Sequence, residues 1–166
     1  MSFPDVRWGS ENSRLRGPAV AFTCTRPGSW LVKKLTPLDR RILLRTQGRK
    51  TVLGPLGAPT MLLTVTGAKS GQPRTSPLLY ARDGESLIVV GSNFGGDRHP
   101  LWSSNLLADS ACTVTIGGVG VPARATLLEG DAAESAYRLM IEVAPNYGVY
   151  RSRTDRSIRV FRLTAT

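Results

Sequence analysis

Thr75-Ser76-Pro77-Leu78-Leu79-Tyr80-Ala81-Arg82-Asp83-Gly84-Glu85-Ser86-Leu87-Ile88-Val89-Val90-Gly91 reads as strand, tight turn, strand. Thr75–Ala81 is the first strand, residues 82–85 are a hairpin turn, and Ser86–Gly91 is an apolar run buried on both faces. Upstream, Met61–Thr66 is a β-rich run that ends in the turn residues 67–73. Downstream comes a glycine-containing loop over 92–97, then a short helix over His99–Ala108 with Pro100 near its start. Ala111–Ile116, Gly117-Gly118 and Val119–Leu128 spell a second hairpin. Asp131 and Glu134 bracket the start of an amphipathic helix over Ala132–Val143, which Pro145 stops. Tyr147–Asp155 reads as a short helix or loop, and Ile158–Leu163 as the last strand. Strands joined by hairpins rather than helices pair antiparallel. The expectation is an α+β, mainly β chain: a six- to seven-stranded antiparallel barrel with flanking helices.

Before this region, Thr36, Pro37 and Asp39 look like the cap and first turn of a helix that runs through Ile42 and Leu43 to Gly48. Trp30–Leu35 is a short, basic, amphipathic piece. It suits a membrane surface with Trp30 at the interface, or packing on its own domain. Residues 1–28 are rich in Gly and Pro and read as an irregular lead-in; residues 29–166 form the single domain.

With 166 residues and 41% hydrophobic content, the chain can bury a core without disulfides or metals. No apolar run reaches the roughly 18–20 residues of a membrane span, and charges interrupt the N-terminus before any signal-like segment forms. A cytoplasmic protein is expected, with peripheral contact at the inner membrane face through the basic N-terminal segment. Cys24 and Cys112 lack CxxC spacing and read as inert thiols. His99 is the sole histidine, so no site with two His ligands is available. The net charge is +10, and most of the excess falls in residues 1–60, with eleven Lys/Arg against three Asp/Glu. That permits an acidic ligand, lipid or nucleic acid. No nucleic-acid module accompanies the charge, so no nucleic-acid partner is expected.

Two segments carry candidate chemistry. The turn Thr66-Gly67-Ala68-Lys69-Ser70-Gly71-Gln72-Pro73-Arg74 offers two cations, a hydroxyl and backbone amides within nine residues. That inventory suits an anion. It has neither P-loop nor dinucleotide-fold glycine spacing, and on residues alone it is equally a polar turn with solvated cations. The segment from Gly91 to Asn105 places three glycines, Ser92, Asn93, Trp102 and Asn105 where a flat ligand could lie. Alone it is also an ordinary loop before a helix.

Together, in order, these segments resemble the deazaflavin-dependent nitroreductase family of mycobacterial and actinobacterial enzymes, which have the FMN-binding split β-barrel fold. The resemblance rests on 63–80, on Arg82-Asp83-Gly84, Ser92-Asn93, His99-Pro100-Leu101-Trp102 and Asn105-Leu106. It extends to Pro37-Leu38-Asp39-Arg40, Tyr147–Tyr150 and Arg153-Thr154-Asp155-Arg156, and covers about Trp30 to Leu163. It implies coenzyme F-420, a reduced 8-hydroxy-5-deazaflavin, as hydride donor, with no metal. By position, Ala68, Lys69, Ser70 and Arg74 would hold its phosphate and the start of its acidic tail. Thr75, Ser76, Pro77, Leu78 and Leu79 would line the ring system. Val90, Gly91, Ser92 and Asn93 would form the opposite wall, and Leu101, Trp102, Ser103, Ser104 and Asn105 would complete the pocket. Tyr147 and Tyr150 match tyrosines bordering the substrate, and Ser92 and Tyr147 match the positions that assist protonation of the acceptor. The chain departs from the family at Ala68, where arginine is frequent, and at Ala144, where one branch has tyrosine. Lys50 or Arg98 are candidates to replace the missing cation.

The implied reaction is hydride transfer to a quinone, nitro or conjugated carbonyl acceptor. Such chemistry asks the protein for position and hydrogen bonds rather than a nucleophile. A non-catalytic flavin or deazaflavin carrier and an FMN-dependent reductase on the same fold are the alternatives.

Overall fold

Pro73 and Pro77 have no N–H to offer a neighbour, so the strand that holds them belongs at a sheet margin. In the computed structural model, which describes residues 2–6, 21–22, 25–51 and 59–166, that strand is β2 (Pro73–Leu79), the edge of a seven-stranded sheet. The others are β1 (Thr60–Thr66), β3 (Ala81–Asp83), β4 (Ser86–Val90), β5 (Ala111–Ile116), β6 (Val119–Leu128) and β7 (Val160–Ala165). The order is β2-β1-β5-β6-β7-β4-β3, with every pairing antiparallel.

β2 and β3 lie at opposite margins yet are separated by Tyr80 alone. The sheet must therefore curl until its margins nearly meet, which makes the half-barrel of a split β-barrel. The side chain of Tyr80 is buried, and its N–H donates to the Pro59 carbonyl at 3.1 Å. This divides the strand expected over Thr75–Ala81. Its first part pairs with β1 (Pro77 opposite Leu62), while Ala81 opens a short hairpin with β4 (Ala81 opposite Ile88). The hairpin over 111–128 forms as read, because Gly117 (φ 58°) and Gly118 (φ 90°) supply the two positive-φ positions of a tight turn.

The continuous apolar run of β4 is explained by cover on both faces. Leu87 and Val89 point into the barrel with Met61, Leu63, Val114 and Phe161. Ile88 and Val90 point outward beneath Ala136, Tyr137 and Met140 of a helix, α3 (Gly130–Val143). Each fully buried aliphatic side chain contributes about 1.5–3 kcal/mol by leaving water.

The first helix corrects the sequence reading. Instead of starting at Thr36, α1 runs unbroken over Arg26–Arg45 with Pro37 inside it. The cap is Thr25, whose hydroxyl accepts from the Gly28 N–H at 3.1 Å, and Pro27 stands in the first turn. Thr25-Pro27 and Thr36-Pro37 obey the same local rule, and the helix starts at the earlier one. Pro37 is exposed, so the carbonyl it leaves without an intrahelical partner can be solvated. The boundary expected at residue 28 thus falls inside the first turn of α1. Two further helices are α2 (Leu101–Ala108) and α4 (Asn146–Arg151).

Part of the lead-in is packed: Phe3 is buried in the barrel core, and Arg82 donates to the carbonyls of Phe3 and Pro4. Residues 7–20 and Cys24 lie outside the described residues. Cys112 is buried, which pushes its thiol up to about 11, so it stays protonated at neutral pH. Among the described residues no helix is long and apolar enough to cross a membrane.

Candidate active site

β2 ends, β4 ends and α4 begins around one cavity of about 220 Å³. Pro77, Leu78 and Leu79 come from β2, Val90 from β4, Ser92 and Asn93 from the loop after it, Trp102 from α2, and Tyr147 and Tyr150 from α4. These are nine of the residues expected to act together. Sequence reading missed the rest of the lining: Thr36 and Asp39 on α1, Thr60, Phe94, Pro100 and Asn146. A shallower hollow of about 430 Å³ adjoins it, sharing Thr36 and Phe94 and adding Arg40, Arg41 and Leu44.

Ser92 is buried and its hydroxyl is hydrogen-bonded to that of Tyr147. Burial is the main cause that raises the Tyr147 phenol, although the residue as a whole is only half-buried; the Tyr150 and Tyr137 rings add to it and the Ser92 bond opposes it. Tyr147 therefore stays protonated at neutral pH and can only donate or share its proton. Its ring lies 5.7 Å from that of Tyr150, which packs edge-on against Phe94 at 5.5 Å and accepts from Asn146 Nδ2 at 2.8 Å. The Tyr147 carbonyl accepts from the Tyr137 hydroxyl at 2.8 Å, and burial pushes that phenol up to about 12. The tyrosine wall is thus held on every side.

The loop after β4 is held in an unusual shape. Asn93 (φ 47°) and Phe94 (φ 57°) are consecutive non-glycine residues in the left-handed region, a conformation that costs about 1–2 kcal/mol per residue. Such strain persists where surroundings over-determine it. Here the surroundings are Arg156. Its guanidinium donates to the carbonyls of Gly91 (3.4 Å), Ser92 (3.0 Å) and Gly96 (3.3 Å) and to His99 Nδ1 (2.8 Å). His99 must accept there, so its proton sits on Nε2. Burial first, then Arg159 and Arg156, lower its pKa. Gly95 fits because a Cβ there would lie 2.7 Å from the Tyr150 carbonyl oxygen. Asn93 Nδ2 ties the loop to the Arg98 carbonyl at 3.0 Å. Arg156 stood within the quoted resemblance, but nothing in the sequence pointed to this clamp.

The remaining expected residues lie apart from the cavity. Lys69, Ser70 and Arg74 are exposed at the β1–β2 turn. At about 3.3 Å per residue, Arg74 and Leu78 are about 13 Å apart along β2, so one strand links cations at one end to an apolar cavity at the other. Five of the turn amides already have partners. Those of Gly67, Ala68, Ser70, Gly71 and Gln72 donate respectively to Gln72 O, Asn105 Oδ1, Gly67 O, Gly67 O and Ser70 Oγ. Four of these bonds close the turn on itself, so an anion there meets chiefly the side chains of Lys69 and Arg74 and the Ser70 hydroxyl proton. Asn105 positions this turn through Ala68 at 3.1 Å.

Thr75 Oγ1 meets Thr64 Oγ1 at 2.8 Å, its carbonyl accepts from Arg40 at 3.3 Å, and Ser76 is half-buried beside it. Gly91 is buried behind Pro100. Ser103 is fully buried, donates to the Pro100 carbonyl at 2.8 Å and accepts from Arg159 at 3.3 Å. Ser104 is exposed and accepts from Arg159 at 3.0 Å, and Leu101 is 82% exposed. Ser103 is therefore a scaffold contact rather than a cavity wall.

A family model described as F420H(2)-dependent quinone reductase matches residues 40–165. The F420H(2)-dependent quinone reductase Rv1261c of Mycobacterium tuberculosis is 37% identical over 134 residues, covering 79% of this chain and 90% of that protein. A solved F420-H2 dependent reductase, FDR-A, is 37% identical with a TM-score of 0.59, covering 63% of this chain and 93% of its own. A solved chain described as a domain-swapped dimer is 34% identical with a TM-score of 0.60, covering 82% and 98%. The curled sheet and its helices are the fold of those two structures.

Proposed function

The chain belongs to the F420H(2)-dependent quinone reductase family, and from that premise we propose that it is an oxidoreductase that binds reduced coenzyme F-420 along β2 and delivers its hydride to a quinone-like acceptor. The observation that carries this reading is the layout of one strand, with exposed Lys69 and Arg74 at its start and the apolar, hydroxyl-bearing cavity at its end. An elongated coenzyme with an acidic tail and a flat ring system suits both ends. When bound, the deazaflavin supplies the hydride.

The protein's own part follows from its residues. Lys69, Arg74 and the Ser70 hydroxyl hold the phosphate. Pro77, Leu78, Leu79, Val90 and Trp102 hold the ring against apolar surface. The Ser92–Tyr147 hydroxyl pair donates a hydrogen bond to the oxygen on which negative charge develops, and passes it a proton. Nitro and conjugated carbonyl acceptors are within reach of the same hydroxyls.

The test is reduction of menadione by the reduced coenzyme, read as return of the oxidised deazaflavin absorbance. Wild-type protein is expected to turn over. Tyr147→Phe is expected to lower kcat about tenfold, one hydrogen bond's worth with Ser92 still present, and to leave coenzyme affinity unchanged. Binding with no turnover on any quinone would favour a carrier, and tighter binding of FMN than of the deazaflavin would favour an FMN reductase.

The outer face of α1 supports a place for this reaction. Trp30 (62% exposed), Leu31 and Leu38 share that face with Lys34, Arg41 and Arg45, and a basic-apolar face of this kind lies well on anionic lipid. The protein would work from the cytoplasm at the inner membrane face, where lipid quinones reside. Cosedimentation with vesicles containing phosphatidylglycerol is expected for wild type, and its loss for Trp30→Ala with Leu38→Ala. Equal pelleting of both proteins would remove the membrane reading.

A further inference from the structure

Tyr147, whose hydroxyl meets that of Ser92, stands on a helix of six residues, α4, separated from α3 by Ala144 and Pro145 alone. A helix that short is marginal in water by itself, since about 12–15 residues are needed, so its placement depends on what holds it. Two polar ties reach it from α3, one at each end. At its start, the Tyr147 carbonyl accepts from the Tyr137 hydroxyl at 2.8 Å. At its end, Arg151 makes a two-pronged ion pair with Glu134, Nη1 to Oε1 at 3.0 Å and Nη2 to Oε2 at 2.8 Å. The same guanidinium lies 5.1 Å from the centroid of the Tyr137 ring, where a cation is attracted to the ring face. Glu134 and Tyr137 are three residues apart, so they share one face of α3. Tyr137 is 3% exposed and packs with Ile88 and Val90 of β4, the strand that leads to Ser92.

We propose that Tyr137 is a positioning residue, which through the Tyr147 carbonyl holds the Tyr147 hydroxyl against Ser92, while the Glu134–Arg151 pair fixes the far end of α4. Tyr137, Glu134 and Arg151 do not line the active-site cavity. They line a separate polar cavity of about 470 Å³, so their effect on the reaction passes through α4. α3 packs on β4 and is tied to α4, and therefore sets the two hydroxyl carriers relative to one another. Removing the Tyr137 hydroxyl leaves its ring in the core and releases only the Tyr147 backbone. A shift of about 1 Å in a reacting group is enough to slow a reaction severely.

This rests on Tyr147 acting on the acceptor, as proposed above. Tyr137→Phe is expected to lower kcat with menadione about fivefold, the scale of one lost hydrogen bond, and to leave the Kd for the coenzyme within about twofold. Made in Tyr147→Phe protein, the same substitution is expected to leave kcat nearly unchanged, because the hydroxyl it positions is gone. A general loosening of the fold would add to Tyr147→Phe instead. Arg151→Ala, at an exposed pair, is expected to lower kcat about twofold and to be silent in the same background. The placement itself is read without turnover, by fluorine NMR of protein carrying 3-fluorotyrosine. The chain has four tyrosines, and each line is assigned by its Phe substitution. The Tyr147 line is expected to move in Tyr137→Phe and in Arg151→Ala, while that of Tyr80 in the barrel core stays. A Tyr147 line unmoved by these substitutions overturns the proposal, and so does a loss of kcat that is the same with and without the Tyr147 hydroxyl. Arg151→Ala decides both points if Tyr137→Phe fails to fold. A moved line in a protein that Tyr147→Phe leaves fully active would keep the tie and count against the role of the Ser92–Tyr147 pair alone.

Discussion

Arg156→Ala is expected to lower kcat/KM for the acceptor roughly 100-fold, the size of effect that follows when a reacting group is misplaced by about 1 Å. Arg156 touches neither the hydroxyl of Ser92 nor that of Tyr147. It holds the carbonyls of Gly91, Ser92 and Gly96, and so fixes the segment in which Asn93 and Phe94 sit at positive φ. Without the guanidinium these carbonyls lose a charged donor, and the two strained residues are free to relax. Ser92 then leaves its hydrogen-bond partner, Tyr147. Folding stability is expected to fall by roughly 2 kcal/mol, a Tm lowered by about 4–8 °C for a chain of this length.

A loss of stability alone would not distinguish positioning from scaffolding. Millimolar guanidinium should restore turnover to Arg156→Ala, since the space is shaped for that group. Arg156→Lys should recover little, because an ammonium cannot reach three carbonyls in one plane. No rescue, with kcat within threefold of wild type at a temperature where the variant is folded, would remove Arg156 from this role.

The clamp also has a pH limit. His99 Nδ1 accepts from Arg156, so protonation of His99 places two cations face to face. Burial and the two arginines lower the His99 pKa from its ordinary value of 6.5. The unfolded chain therefore takes up that proton first as pH falls, and acid destabilises the native form. The stabilisation is complete above the ordinary histidine value and is lost as pH drops through the lowered one.

How much of this could be read from the chain depends on the range of the interactions involved. The hairpin at Gly117-Gly118, the doubly buried run of β4 and the amphipathic α3 are set by neighbours in sequence, and each is legible. The start of α1 is not, because Thr25-Pro27 and Thr36-Pro37 satisfy one capping rule and nothing local separates them. The division at Tyr80 is hidden for the same reason: curl is a property of seven strands, not of the residues 75–81. Arg156 lies 57 residues from His99 and 65 from Gly91, so no spacing rule could pair them. The turn misled in a subtler way. Its glycines and polar residues do suggest free amides, but those same features let the turn close on itself and consume them. Asp39 had a satisfactory local role as a first-turn acid, and that role concealed its place in the cavity.

The turn is where the largest change in coenzyme binding is expected. With five of its amides engaged, most of the attraction for an anion rests on two side chains. A charge-assisted hydrogen bond contributes about 1.5–3 kcal/mol, and the exposure of Lys69 and Arg74 argues for the lower end. Lys69→Ala with Arg74→Ala should then raise the Kd for the deazaflavin roughly 100- to 300-fold. Menadione binding, read separately, should hardly move, because the cavity lies about 13 Å along β2 from Arg74. Salt gives an independent reading. Wild-type affinity should fall steeply with ionic strength, as it must for exposed charge pairs, and the variant should show a nearly flat dependence. FMN gives another. It has a phosphate but no acidic tail, so any wild-type preference for the deazaflavin over FMN should narrow in the variant. A Kd that changes less than threefold, or one that keeps its full salt dependence, would move the anion site away from this turn and toward Lys50 or Arg98, the other exposed cations considered for the tail.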